Sequence, residues 1–89
     1  MMPVYFNRDP IHKRFIMLTH TCGEEFNTET FLLHHRVVEY IRKIFEEAQI
    51  ITEYRPEPAG WVWIETTVKL NNDADEAYFL LLTSNGIKI

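Results

Sequence analysis

The chain of 89 residues holds a single cysteine, Cys22, which excludes an internal disulfide and permits a reducing compartment. No apolar run approaches the length of a membrane span. Residues Met1 to Asp9 lack the basic-then-apolar order of a secretory signal, so a cytoplasmic protein with no membrane partner is expected. Cations are scarce, with nine Lys and Arg against 13 Asp and Glu and a formal charge of -4. A broad phosphate-binding surface needs clustered Lys and Arg, so nucleic acid is not the expected partner; a local basic patch stays open. Repeats, low-complexity segments and interdomain linkers are absent as well. At 46% hydrophobic and 25% charged, the composition is that of one globular domain over residues 1–89 with a modest core. Residues 1–12 are its N-terminal arm or edge strand.

The stretch that organises this chain is Gly60-Trp61-Val62-Trp63-Ile64-Glu65-Thr66-Thr67-Val68-Lys69-Leu70. Side chains alternate along a strand, so Val62, Ile64, Thr66, Val68 and Leu70 share one face. Being mostly β-branched and apolar, they read as core. Trp61, Trp63, Glu65, Thr67 and Lys69 share the other. Two large aromatics are seldom left facing water, which makes their cover the functional question.

Before this strand, Val4-Tyr5-Phe6 reads as a short edge strand or a packing arm, restricted by Pro3 and Pro10. Arg14 to His20 is the first strong strand. Ile16 and Leu18 fall on one face and Phe15 and Met17 on the other, so both faces are apolar, as in a central strand. Thr21 to Glu25 reads as a loop. Asn27 or Thr28 then caps a helix with Glu29 in its first turn. Leu33, Val37, Ile41, Ile44 and Ala48 follow at helical spacing, flanked by Val38 and Phe45. Ile50 to Arg55 is a strand closed by Pro56-Glu57-Pro58-Ala59-Gly60.

After the Trp strand, Asp73 with Glu76 three residues later resembles a capping box. A short helix would bury Ala77, Leu80, Leu81 and Ser84. The competing reading is a hairpin turning at Asn85-Gly86 between Tyr78–Ser84 and Ile87–Ile89. The acidic, alanine-containing start favours the helix, and both readings end in a short strand over Ile87-Lys88-Ile89. The order strand, helix, strand, strand, helix, strand is that of an α+β ferredoxin-like split βαβ sandwich, β-α-β-β-α-β, with two helices on one face of an antiparallel sheet. Its first and third strands are central, which matches the two strands with apolar or aromatic residues on both faces.

The open face of such a sheet is the expected binding face, formed by Phe15, Met17, Trp61, Trp63, Glu65 and Lys69. Gly60-Trp61-Val62-Trp63-Ile64 resembles the middle of the third-strand motif of RNA-recognition domains, and Phe15 occupies a position similar to their first-strand aromatic. Ala59 stands where that family carries a basic residue, and Thr66 where it carries a final aromatic. The resemblance implies single-stranded RNA binding by base stacking. The rival expectation is a protein interface, self or heterologous, since interface cores are rich in Trp, Tyr and Met. A homodimer with facing sheets is one form of it. Cover by the chain's own Val4-Tyr5-Phe6 arm is another reading.

His20, Cys22, His34 and His35 are of types that bind zinc, and they sit at a strand end and near a helix start. A small zinc-binding domain is therefore a further alternative. No Cys-x-x-Cys pair accompanies them, and His34 and His35 point about 100° apart on a helix. We therefore expect no metal and no cofactor. Cys22 beside an imidazole would be an activated thiol. No oxyanion-hole motif, phosphate loop or nucleophile elbow accompanies it, so no catalytic residues and no enzyme are expected.

Asp73-Ala74-Asp75-Glu76-Ala77-Tyr78-Phe79-Leu80-Leu81-Leu82-Thr83 resembles an acidic-Ala-aromatic-Leu segment near the end of many small tailed-phage proteins. That resemblance implies a small accessory or inhibitor protein, acting in the host cytoplasm on a host or viral protein. The expectation from sequence is a non-enzymatic protein-binding module.

Overall fold

The computed structural model describes residues 3–89. Its elements in chain order are β1 (Pro3–Val4), β2 (Asn7–Asp9), β3 (Arg14–Cys22), α1 (Glu24–Ile44), β4 (Gln49–Pro56), β5 (Trp61–Lys69), α2 (Asp73–Thr83) and β6 (Ile87–Lys88). From β3 onward this is the β-α-β-β-α-β order of a ferredoxin-like α+β domain, with every ladder antiparallel. Four strands form one sheet in the order β2-β3-β5-β4, so β3 and β5 are central. Among the described residues, no helix is long and apolar enough to cross a membrane.

One edge differs from the simplest form of this arrangement. The place beside β3 is taken by β2, and β6 pairs instead with β1 through Pro3↔Lys88 and Val4↔Ile87. The arm is therefore an edge strand in two short pieces, and the C-terminal strand lies outside it. Closing a short hairpin costs less chain entropy than returning from the far end of the domain. Asp9 pins that hairpin. Its carboxylate accepts from Arg14 Nε at 2.9 Å and lies 2.9 Å from His12 Nδ1, and these two partners hold its pKa down at about 2. Where β6 begins, Gly86 has φ 81, and a Cβ there would lie 2.7 Å from the Cβ of Pro3. Only glycine lets the two termini close together at this point.

The core lies between the sheet and the two helices. Phe15, Met17 and Val68 meet Val37, Ile41 and Phe45 of the α1 side and Phe79 of α2. Helix α1 starts at Glu24, directly after Gly23, which has no side-chain cap, and not at Asn27 or Thr28. Asn27 lies inside the helix and works as a tie. Its Oδ1 accepts from Thr21 Oγ1 at 2.6 Å, and its Nδ2 donates to the Gly60 carbonyl at 3.4 Å. The helix ends at Ile44, so Ala48 falls beyond it, and Phe45 is buried as the residue that ends the helix.

Residues 73–83 are helical, which resolves the helix–hairpin alternative. The buried side is Phe79 and Thr83, however; Ala77, Leu80, Leu81 and Ser84 are exposed. The rotation follows from Phe79, whose ring enters an aromatic cluster with Phe6 at 5.2 Å, Phe15 at 4.5 Å and Phe45 at 5.8 Å. Burying a phenyl ring outweighs burying Ala77 or a partly exposed Leu. The cap is Asn72, whose Oδ1 accepts from the Asp75 N–H at 2.8 Å. Asn72→Ala should lower the unfolding free energy by about 1 kcal/mol. A shift in the urea midpoint at unchanged slope is the measurement, and an unmoved midpoint would refute the role of this cap.

Candidate functional site

Directly opposed residues in an antiparallel pair share a face, so the register assigns every side chain of the sheet. Phe15 pairs with Val68 and Met17 with Thr66, both on the helix side. Phe15 and Met17 are therefore core residues, not members of the open face as expected from sequence. The same register places Ile16 opposite Thr67, Leu18 opposite Glu65, His20 opposite Trp63 and Cys22 opposite Trp61 on the open side. Both parities of β3 are apolar, and only pairing to β5 decides between them. Trp61, Trp63, Glu65 and Lys69 do lie on the open face.

An imidazole covers part of the two indoles. The His20 ring stacks on Trp63 with centroids 3.8 Å apart and planes 11° apart, and it meets Trp61 at 4.6 Å and 30°. Trp61 is still 41% exposed, and Leu18 and Ile51 extend the apolar surface at 45% and 61%. Beside Trp63 an open depression of ≈ 420 Å³ is lined by Leu18, Arg55, Glu57 and Trp63. Glu57 Oε2 stands 3.6 Å from His20 Nε2, which leaves the imidazole between an acidic edge and the indoles. His20 belongs to this face through its ring plane, a role its chemistry as a metal ligand hides. The signal available in the sequence was its even spacing from Ile16 and Leu18.

Charge on the face is mixed. Arg14, Arg55 and Lys69 project there, and so do Asp9, Glu53 and Glu65. With Glu57 beside His20, three cations meet four anions, so the face carries no cationic excess. A surface of this kind does not concentrate phosphates.

The four metal-ligand candidates are dispersed. His34 is buried between α1 and the sheet, with Nε2 2.9 Å from Thr19 Oγ1 and Nδ1 2.7 Å from Thr66 Oγ1. Thr66 Oγ1 lies in turn 3.0 Å from Thr52 Oγ1, and Thr19 Oγ1 makes a long contact to the Ile64 carbonyl at 3.4 Å. Each hydrogen is used once if Thr52 donates to Thr66, Thr66 to Nδ1, Nε2–H to Thr19, and Thr19 to that carbonyl. This direction requires a neutral imidazole. Desolvation by burial lowers the His34 pKa to about 4, in keeping with the neutral ring. His35 is on the exposed side of α1, 3.1 Å from Glu39 Oε1. Cys22 is exposed, with Sγ 3.8 Å from the Ala59 carbonyl. Among the described residues, no group of three or more His, Cys, Asp or Glu side chains is placed to hold a metal ion.

No family model, curated protein or solved structure matches this chain.

Proposed function

We propose that the protein is a non-enzymatic binding module whose open sheet face receives an apolar segment of a protein partner. The observation that carries this reading is the pair of indoles and the stacked imidazole on a face no helix covers, extended by exposed Leu18 and Ile51. Interface centres favour such rigid aromatics, because they give large contact area at small entropy cost. The lack of cationic excess on the face favours a protein over single-stranded RNA, the rival occupant of the same aromatics. With Phe15 in the core, the stacking platform is limited to β5 and His20. The likeness of residues 73–83 to tailed-phage accessory proteins supports a host or viral protein as the target.

Replacing Trp61→Ala and Trp63→Ala together should keep the helical and strand signal by circular dichroism while partner retention on an affinity column is lost. Each ring should contribute on the order of 2 kcal/mol to binding. A control with Tyr78→Ala and Leu81→Ala, both exposed on α2, should retain the same partner. Loss of the folded signal in the Trp double variant would instead assign the indoles to stability. Filter retention of single-stranded RNA at low salt, abolished by the same double variant, would give the face to nucleic acid.

A further inference from the structure

Strand β4 is eight residues long, and every residue from Ile51 to Pro56 is exposed. Helix α1 lies mainly over β3 and β5 and reaches β4 through Phe31 against Tyr54. Among the described residues its only strand partner is β5, which leaves the backbone groups of its outer edge unpaired. Natural edges of this length are blunted or used. Pro56 and charged side chains are of types that blunt an edge, but here the placement of the charges suits a second strand. Glu53 stands directly opposite Glu65 across the ladder, a like-charge pair that opposes the fold. Among the described residues neither Glu53 nor Arg55 has an ion-pair partner within the chain.

Glu53 and Arg55 carry opposite signs on the same face, one on each side of Tyr54. Two such strands laid antiparallel about a two-fold axis through Tyr54 place Glu53 of each copy opposite Arg55 of the other. The pairing occurs twice by symmetry, and each cation then offsets a Glu53–Glu65 repulsion. The register centred on Glu53 sets that carboxylate against itself. The one centred on Thr52 sets Ile51 against Glu53. On the helix side, the axis at Tyr54 brings together two Tyr54 rings, each already edge-on to Phe31 at 6.4 Å. Phe31 and Tyr54 are both about half exposed in the single chain, 48% and 52%.

From these placements we infer that β4 is a homodimer edge: a second copy of this chain adds antiparallel to it in the register that opposes Glu53 to Arg55. The two four-stranded sheets then run on as one of eight. A two-fold axis normal to the sheet keeps both Trp faces on the same side and uncovered. The inference is independent of what those faces bind.

Sedimentation equilibrium of the full chain over a concentration series tests it. The expected mass is twice 10.6 kDa. Glu53→Arg alone and Arg55→Glu alone should each return the single-chain mass, and the two combined should restore the doubled mass, because the exchange preserves the pairing. Directly opposed residues have Cα atoms about 4.5–5.5 Å apart, within disulfide reach. Tyr54→Cys in a Cys22→Ser background should therefore cross-link to itself on mild oxidation. A single-chain mass at every concentration would overturn the inference. So would a doubled mass that survives both single charge reversals, or one lost in Trp61→Ala with Trp63→Ala, the mark of facing sheets.

Discussion

Phe79→Ala should cost about 3–5 kcal/mol, the largest single loss available in this domain. The ring is fully buried and contacts three others, Phe6 from the arm, Phe15 from the central strand and Phe45 from the end of α1. Truncation removes the transfer energy of the ring and leaves a cavity. Large flat neighbours fill such a cavity poorly. The effect is out of proportion to one residue because α2 meets the core through Phe79 and Thr83, the buried positions of that helix. A domain of this size has a total stability of about 4–13 kcal/mol, so much of it goes with this one ring. Urea denaturation at neutral pH reads the loss directly. Leu81→Ala, two residues on but 78% exposed, should move the midpoint by less than about 0.5 kcal/mol. A loss below about 1 kcal/mol in Phe79→Ala would show that the aromatic cluster does not hold α2.

Acid should weaken the fold through His34 before it touches the carboxylates. The unfolded imidazole titrates near 6.5, whereas burial lowers the folded value to about 4. Between these values the unfolded chain binds the extra proton, so stability is full above pH 6.5 and falls as pH drops toward 4. A depression of this size corresponds to about 3 kcal/mol; residual screening by solvent reduces the expected loss to about 2 kcal/mol. Protonation also adds a second N–H where Nδ1 now accepts from Thr66, which breaks the direction of the Thr52–Thr66–His34–Thr19 chain. Urea midpoints at pH 7.5, 6, 5 and 4.5 measure the loss. His34→Leu should flatten the profile over this range, because the titrating group is gone. An equal slope in that variant would remove His34 as the cause. Asp9 acts lower: its pKa is held at about 2, so the support it gives the N-terminal hairpin is present above 3.8 and is lost as pH falls toward 2. The two windows are therefore separable.

The two surfaces proposed above differ in what they ask of a partner. The edge of β4 offers backbone hydrogen bonds and one charge pattern that suits its own copy. The open face offers indoles, an imidazole and aliphatic side chains among charges of both signs. Joined at β4, two copies would present two such faces side by side, and a partner with two matching segments would gain from the second as an intramolecular contact.

Much of the architecture was legible from residue patterns. Alternation in Trp61–Lys69 identified the strand and its buried side, where Val62, Ile64, Thr66 and Val68 are all buried. Helical spacing found α1 through Val37 and Ile41, and the two-sided apolarity of β3 and β5 found the centre of the sheet. Which side of β3 faces the helices was not legible, because Ile16 and Leu18 are as apolar as Phe15 and Met17. Nor was the buried stripe of α2, since nearly every residue from Ala77 to Leu82 is apolar and the pattern names no single face. The partners of His34 were not legible for a related reason: a histidine on an apolar stripe gives no sign that Thr19 and Thr66 wait to receive it.

Local order is what the amino-acid sequence of this protein determined by itself: where the chain extends, where it coils, and that Trp61 and Trp63 leave the core side of their strand. These are properties of periods of 2 and 3.6 residues, and they need no distant partner. Tertiary structure alone decided the pairing of β3 to β5, the rotation of α2 about Phe79, the exchange of β2 for β6 at the edge and the seating of His20 between two indoles. Each depends on which of several similar surfaces meet in the folded domain, and only their mutual packing ranks arrangements that the local patterns leave equal.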